Sequence, residues 1–274
     1  MKQELFDIVT IPFTKLFRKA NKINVSLYEK ANLIYPIKKG KKDFKLFCPN
    51  NMTLWRAKTY FTKEPHTLTW IDSFSENDIL FDIGANVGLY TIYAAERGIK
   101  VFAFEPESQN YALLNRNIYL NSLQDKVNAL NIAVGEKEEF GALNIKDFTI
   151  GGALNNFGDN LDCNYERFSP KFKQAVIAHT IDYLIQQYKL PVPNHIKIDV
   201  DGLEPSVITG ALQTLKNLAL KSVLIELNTK LTDHMNVLDT MINNGFEVAQ
   251  KDCVIDRSDT EFSHFYNYIF KRLI

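Results

Sequence analysis

Residues that form disulfides or bind metals are scarce in this sequence of 274 residues, which contains three cysteines and five histidines. Cys48, Cys163 and Cys253 are too far apart for a Cys-x-x-Cys motif, and their odd number argues against a set of disulfides. The isolated histidines show no metal-ligand spacing and are expected to be structural: His66, His179, His195, His234 and His264. The sequence therefore excludes a disulfide-rich secreted protein, and we expect a reducing, cytoplasmic location.

Long apolar runs and an overall charge are also absent. The first apolar run, Leu5 to Phe13, is interrupted by Asp7 and has no small-residue cleavage site after it, so we expect a soluble protein without signal peptide or membrane span. Lys+Arg and Asp+Glu are both 32, which excludes a nucleic-acid binder by overall charge. Residues 1–45, however, contain eleven basic and four acidic residues, a net charge of +7, which leaves −7 for the remainder.

The basic head carries apolar residues near helical spacing between Glu4 and Ala20, with a kink expected at Pro12. Such a stripe suits an anionic membrane surface, or packs on its own domain or on a second subunit of a homo-oligomer. With 46% hydrophobic residues, the rest of the chain can bury the core of one large domain. We predict a basic N-terminal extension over residues 1–52 and a main domain over residues 53–274.

Strand and helix patterns alternate after Asp78. The predicted strands are Ile79 to Ile83, Val101 to Glu105, Val127 to Ala133, Ile196 to Val200, Ser222 to Leu227, Phe246 to Gln250 and Phe265 to Lys271. The predicted helices are Val87 to Arg97, Ser108 to Leu120, Pro205 to Leu218 and Thr232 to Asn243. This alternation predicts an α/β fold with a mostly parallel sheet and helices on both faces. The last two strands have a short link, so one of them is expected to be antiparallel.

Two segments depart from the alternation. Lys45 to Trp70 has strand-like pieces punctuated by Pro49 and Pro65, which predicts a small β region. Its aromatic residues Trp55, Tyr60 and Trp70 are expected to pack in the core, although they could wall a sugar. Phe140 to Lys173 is predicted to be a long irregular insertion, either a substrate lid or a disordered loop.

The turn after the first predicted strand, Asp82-Ile83-Gly84-Ala85-Asn86-Val87-Gly88, reads D-x-G-x-x-x-G. Dinucleotide enzymes place G-x-G-x-x-G here to bind a pyrophosphate, and one of those glycines is missing. Glu105 ends the second strand, where a carboxylate can accept hydrogen bonds from both ribose hydroxyls. A glycine turn without pyrophosphate contacts, followed by a ribose acid, indicates a mononucleoside with a polar tail, and S-adenosylmethionine is such a molecule.

The motifs "FDIGANVGLYT", "FEPE", "HIKIDVDGLE" and "LIEL" occur in this order, and with them the chain resembles the FkbM-type S-adenosylmethionine-dependent methyltransferases from about Thr53 to the C-terminus. The resemblance implies a Rossmann-like class I methyltransferase fold with a seven-stranded, mostly parallel sheet and an antiparallel last strand. It implies O-methylation of a hydroxyl on a sugar, glycan or glycosylated natural product. Asp201 departs from the pattern, because the family usually has glutamate there.

The resemblance also implies which residues contact the cofactor. The methionine end is assigned to the turn: Asp82, Gly84, Ala85, Asn86 and Gly88. The ribose is assigned to Glu105 with Pro106 beside it, and the adenine to the end of the third strand near Ala133.

Catalytic residues are expected at the carboxyl ends of the fourth and fifth strands. Lys197 and Asp199 point to the same face by the period of two, and a lysine in a covered strand needs an acidic partner, Glu226 or Asp199. In one interpretation this ion pair only organises the site. In another, Asp199 or Glu226 is the general base that deprotonates the acceptor, and Lys197 holds the hydroxyl or tunes the base. In a third, Mg²⁺ binds to Asp199, Glu226 and Asn228.

Three functions thus compete. The first is a methyltransferase acting on a small-molecule or glycan acceptor. The second is an NAD-dependent oxidoreductase, which the incomplete glycine pattern disfavours. The third is a non-catalytic module that binds the cofactor and a partner through its basic head.

Overall fold

The computed structural model describes residues 19–39, 42–253 and 263–273. The apolar stripe predicted between Glu4 and Ala20 therefore lies almost wholly outside the described residues. The chain divides between Ile34 and Tyr35 into two compact units. The division predicted at residues 52 and 53 stays a prediction.

The helices are α1 (residues 19–30), α2 (Asn51–Lys58), α3 (Pro65–Asp72), α4 (Leu89–Glu96), α5 (Ser108–Leu120), α6 (Ile181–Gln187), α7 (Glu204–Thr209), α8 (Leu212–Lys216) and α9 (Thr232–Asn243). The strands are β1 (Ile34–Lys39), β2 (Lys42–Phe47), β3 (Ile79–Ile83), β4 (Lys100–Phe104), β5 (Val127–Leu130), β6 (Ala133–Val134), β7 (Glu139–Ile145), β8 (Asn156–Phe157), β9 (Phe172–His179), β10 (His195–Ile198), β11 (Ser222–Asn228), β12 (Phe246–Cys253) and β13 (Phe265–Arg272). In the described part of the chain, no helix has the length and apolar character needed to cross a membrane.

A seven-stranded sheet forms the centre of the second unit, in the order β12-β13-β11-β10-β3-β4-β5. Strands β5, β4, β3, β10 and β11 are parallel, and β13 runs antiparallel to both β11 and β12. Successive residues of β3 enter different apolar clusters, Leu80 on one face and Phe81 on the other. Helices therefore cover both faces, and the predicted Rossmann-like methyltransferase sheet with its antiparallel last strand is confirmed.

The β region predicted between Lys45 and Trp70 is wrong, because after β2 this segment forms the helices α2 and α3. Asn50 caps α2: its Oδ1 accepts from the Thr53 backbone N–H at 2.9 Å, and Thr53 Oγ1 accepts from the Asn50 N–H at 3.3 Å. Pro65 occupies the first turn of α3, where a missing N–H costs nothing. The proline-containing segments that were expected to separate strands thus precede or begin helices.

The insertion predicted to be irregular is partly ordered. Strand β7 pairs antiparallel with β9 over seven positions, and β6 and β8 complete a second sheet in the order β6-β9-β7-β8. The partner of β7 lies almost 30 residues away, which local periodicity does not reveal. The helix predicted from Pro205 to Leu218 is two helices, α7 and α8, because α7 ends at the C-cap Gly210. Gly210 passes so close to Gly135 that a Cβ would lie 2.0 Å from the Gly135 carbonyl oxygen.

His195 belongs to a buried network at the amino end of the sheet. Trp70 Nε1 donates to Ser222 Oγ at 2.8 Å, Ser222 Oγ contacts His195 Nδ1 at 2.7 Å, and His195 Nε2 contacts Asp78 Oδ2 at 3.0 Å. Burial lowers the pKa of His195 to about 4, against the opposing effect of Asp78, so the ring is neutral at pH 7. Ser222, His195 and Asp78 are connected as the residues of a catalytic triad would be. Because Ser222 and His195 are both buried, this set of residues is structural rather than catalytic.

The His195 network predicts a loss of stability in acid. The ordinary pKa of histidine is about 6.5, so between pH 6.5 and 4 the unfolded chain binds a proton that the folded chain excludes. As the pH falls through this interval, the native chain should lose up to about 3 kcal/mol more unfolding free energy than a His195→Asn variant, which cannot titrate. Urea unfolding at pH 7, 5.5 and 4 measures this difference, and identical pH profiles for the two chains would contradict it.

Candidate functional site

A cleft opens at the carboxyl ends of the central parallel strands. It contains about 910 Å³ of space outside protein atoms, part of it open to solvent. Gly84 follows β3, Glu105 follows β4, Asp199 follows β10, and Glu226 lies near the end of β11; all four line the cleft. Ligands of open α/β sheets bind at this edge.

The turn after β3 can only be made with glycine. Gly84 has a φ of +80°, and a Cβ there would lie 1.9 Å from the carbonyl oxygen of Asp199. Asn86 is also left-handed, with a φ of 51°. This conformation directs the Asn86 backbone N–H to Glu105 Oε2 at 2.7 Å, so the first and second strands share one hydrogen-bonded site.

Glu105 is a buried carboxyl whose second oxygen, Oε1, accepts from the Glu107 N–H at 2.9 Å. Burial raises the pKa of Glu105 to about 8, although the two backbone hydrogen bonds oppose this effect. The carboxyl group is therefore largely protonated at pH 7, so it keeps lone pairs that can accept from a ligand hydroxyl and has one O–H that can donate to a second one.

The predicted cofactor residues divide into two groups. Five of them line the cleft: Gly84, Asn86, Glu105, Pro106 and Ala133. The other three, Asp82, Ala85 and Gly88, build the turn. The buried Asp82 accepts from Thr91 Oγ1 at 2.6 Å, the Ala85 N–H donates to the Phe104 carbonyl at 3.0 Å, and Gly88 begins α4 against Leu114.

Lys197 has the acidic partner that its place in a covered strand requires. Its Nζ lies 3.0 Å from Asp199 Oδ2, and its side chain is 2% exposed. Burial alone would lower the pKa of Lys197, but the charges of Asp199, Asp82 and Glu64 raise it above its ordinary value. Conversely, burial would raise the pKa of Asp199, and Lys197 holds it below its ordinary value. Both groups are therefore ionised at neutral pH.

The sequence analysis missed two cations of the cleft. Arg56 in α2 and Lys63 after it both line the cleft, and Lys63 Nζ pairs with Glu64 Oε1 at 2.9 Å. Both residues precede the first strand of the main sheet, in the segment predicted to be β structure. No local motif there identifies them as site residues.

Asp201 was noted only as a departure from the family pattern, yet it also lines the cleft. Burial raises its pKa to about 6, and the nearby charge of Asp199 acts in the same direction. Asp201 Oδ2 accepts from the Leu154 backbone N–H at 2.6 Å. The left-handed φ of Leu154, 64°, is rare for leucine, which indicates that the surrounding contacts hold this conformation.

A loop of residues 150–155 closes one side of the cleft through contacts with three other elements. Asn50 Nδ2 donates to the Ile150 carbonyl at 2.9 Å. The Gly152 carbonyl accepts from Asn86 Nδ2 at 2.7 Å and from Asn110 Nδ2 at 3.2 Å. The insertion predicted to be a substrate lid or a disordered loop is thus bonded directly to the predicted cofactor turn.

Among the described residues, Asp199 and Glu226 line the cleft and Asn228 does not. Asn228 is buried; its Nδ2 donates to the Cys163 carbonyl at 3.1 Å, and its Oδ1 accepts from the Lys230 N–H at 3.0 Å. Among the described residues, no group of three or more His, Cys, Asp or Glu side chains has the arrangement of a metal site.

Known proteins similar to this chain are methyltransferases. The family described as "Methyltransferase FkbM domain" matches residues 82–248. The chain is 23% identical to the hexuronic acid methyltransferase AglP of Haloferax volcanii over 164 residues, which are 60% of this chain and 62% of that protein. It is 37% identical to the methyltransferase sdnD of Sordaria araneosa over 164 residues, which are 51% of this chain and 62% of that protein. The matches thus span less than two thirds of both relatives.

Among solved structures, the chain is similar to magnesium protoporphyrin IX methyltransferase (ChlM) from Synechocystis PCC 6803. The TM-score is 0.49 and the identity 11%, over 86% of this chain and 87% of that chain.

The Asp201 contact predicts a specific change in the loop. In Asp201→Ala, the Leu154 N–H loses its acceptor, and its amide hydrogen should exchange about 10- to 100-fold faster, as expected for a lost bond to a charged group. Asp201→Asn retains a carbonyl acceptor and should stay near the native rate. Hydrogen exchange measured by NMR tests both variants, with the Ile198 amide of β10 as the unaffected reference. Unchanged exchange at Leu154 in Asp201→Ala would contradict this role.

Proposed function

The chain belongs to the FkbM methyltransferase family, and from this premise we propose that it is a methyltransferase that uses S-adenosylmethionine and methylates a hydroxyl of a sugar, glycan or glycosylated natural product. The observation that carries the proposal is the buried Glu105 carboxyl, held beside the Gly84 turn by two backbone N–H groups. This arrangement suits a ribose.

The residues of the cleft fit S-adenosylmethionine by their chemistry. Glu105 can form hydrogen bonds with two ribose hydroxyls, the Gly84 turn brings main chain to the cleft, and Pro106 and Ala133 offer apolar surface for the adenine. Four carboxyl groups besides Glu105 line the cleft, which suits the positive charges of the sulfonium and the α-ammonium group. When bound, S-adenosylmethionine supplies a methyl group activated by the sulfonium.

Two neighbouring strands provide the groups that act on the acceptor. We assign the general base to Glu226, which lines the cleft near the end of β11. We assign the adjacent Lys197–Asp199 ion pair to the organisation of the site, because the pairing keeps Asp199 ionised and a carboxylate with a lowered pKa is a weak base. Methyl transfer then depends mainly on the alignment of the hydroxyl.

A sugar acceptor is supported by the relative AglP, whose name specifies a hexuronic acid.

The other two functions, a non-catalytic module and an oxidoreductase, predict different binding and turnover. A non-catalytic module would bind S-adenosylhomocysteine without transferring a methyl group to any acceptor. An NAD-dependent oxidoreductase would bind NADH in preference, and the family match does not support it.

Helix α1 supports the peripheral membrane contact predicted for the N-terminal segment. Ile23 and Leu27 lie one helical turn apart on one face and are 51% and 62% exposed, and Lys19, Lys22 and Lys30 supply positive charge around them. An exposed apolar stripe with flanking lysines is typical of a helix on an anionic lipid surface.

The catalytic assignment predicts a separation of binding from turnover. Glu226→Gln should lower turnover about 10²- to 10⁴-fold while the affinity for S-adenosylhomocysteine stays native, because the amide cannot accept the proton. Transfer of labelled methyl to a panel of neutral glycosides and uronic acids measures turnover, and calorimetry measures affinity. Glu105→Ala is the binding-deficient control, and Glu247→Gln is the surface control. Native turnover in Glu226→Gln would exclude it as the base, and cofactor binding without any transfer by the native protein would favour the non-catalytic module.

The membrane assignment predicts opposite results for two similar variants. Leu27→Glu should abolish co-sedimentation with phosphatidylglycerol vesicles, because it places a charge on the apolar stripe. Val25→Glu makes the same change in charge at a residue 57% exposed on the opposite face, and should retain most of the binding. Equal binding to vesicles of phosphatidylcholine alone, or a dimer that Leu27→Glu dissociates in the absence of vesicle binding, would contradict the assignment.

A further inference from the structure

Arg56 is a cation without an ion-pair partner in an acidic cleft. Seven ionisable residues line the cleft, five acids and two bases: Glu105, Glu107, Asp199, Asp201, Glu226, Arg56 and Lys63. Lys63 is neutralised by Glu64 at 2.9 Å. Within the described residues, Arg56 forms no ion pair, so its charge is available to a ligand.

Contacts along the loop connect Arg56 to the cofactor turn. Arg56 Nε donates to the Gly151 carbonyl at 2.7 Å, and the next carbonyl, that of Gly152, accepts from Asn86 Nδ2 at 2.7 Å. A guanidinium has five N–H donors, and in the described part of the chain a hydrogen-bond partner is seen for the one on Nε. The loop bond thus orients the side chain and leaves the terminal N–H groups for another acceptor.

The charges of the proposed cofactor explain why such a residue is needed. The amino-acid part of S-adenosylmethionine carries a carboxylate, and the ionised acids of the cleft repel it. An arginine can bind a carboxylate with two parallel hydrogen bonds, which few other side chains can do. The charge of Arg56 also reaches Asp201 in the cleft, because it lowers the pKa of that group while burial and the charge of Asp199 raise it.

We propose that Arg56 binds the α-carboxylate of the methionine part of S-adenosylmethionine. This inference rests on the proposed function, because it requires that cofactor. It places a residue of α2, outside the matched residues 82–248, in the cofactor site. Helix α2 then belongs to the binding site and is more than a covering element of the fold.

The test compares two ligands, one with and one without the amino-acid part that carries the carboxylate. S-adenosylhomocysteine contains the amino-acid part, whereas 5′-methylthioadenosine has the same nucleoside and sulfur without it. In Arg56→Gln, calorimetry should show the dissociation constant of S-adenosylhomocysteine raised about 10- to 100-fold and that of 5′-methylthioadenosine unchanged within about twofold. Arg56→Lys should be intermediate. Lys58→Gln removes the same charge from an exposed residue of the same helix and should leave both constants unchanged.

Three other outcomes would overturn the inference, and they differ in what they mean for the proposed function. If the native protein binds neither ligand, the proposed function fails, and the inference with it. If Arg56→Gln binds both ligands like the native protein, the inference is wrong while the proposed function stands. If Arg56→Gln weakens both ligands equally, Arg56 acts only by holding the Gly151 loop, and the carboxylate assignment is overturned.

Discussion

The buried positive charge of Lys197 is the constraint on which the centre of the molecule depends. A lysine that is 2% exposed stays protonated only if acids surround it, and here they come from three parts of the chain: Glu64 before α3, Asp82 on β3 and Asp199 after β10. Removing one partner of a buried ion pair costs about 3–5 kcal/mol, because the other charge is left uncompensated. The segment between α2 and α3, strand β3 and the end of strand β10 are therefore tied together by one charge.

The ion pair between Lys197 and Asp199 also lies next to the cleft. Lys197 keeps Asp199 ionised at the edge of the cleft, and the Asp199 carbonyl passes so close to Gly84 that no side chain fits there. The turn that results brings the Asn86 N–H to Glu105, on the next strand. Direct contacts thus connect the buried Lys197 to the Gly84 turn and the turn to Glu105, and each contact fixes the position of the next residue.

The loop of residues 150–155 connects several residues of the site through hydrogen bonds. Asn86 and Asn110 hold the Gly152 carbonyl, Arg56 holds the Gly151 carbonyl, and Asp201 holds the Leu154 N–H. The side chain of Asn86 therefore binds the loop, while its backbone N–H serves Glu105. The shorter Asp201, where the family usually has glutamate, is used here to bind the loop.

The sequence by itself determined the alternation of strands and helices, the antiparallel last strand, and the place of Gly84, Glu105, Asp199 and Glu226 at the strand ends. The alternation and the strand ends follow from apolar periodicity and from the positions of glycines and acids next to the predicted strands. The antiparallel strand follows from the short link between the last two strands. Only the tertiary structure decided that Pro65 starts a helix, that β7 pairs with β9 almost 30 residues away, and that Arg56 and Asp201 face the same cleft. The physical reason is that pairing partners and charge neighbours far apart in the chain leave no periodic signal, whereas burial along one strand or helix does.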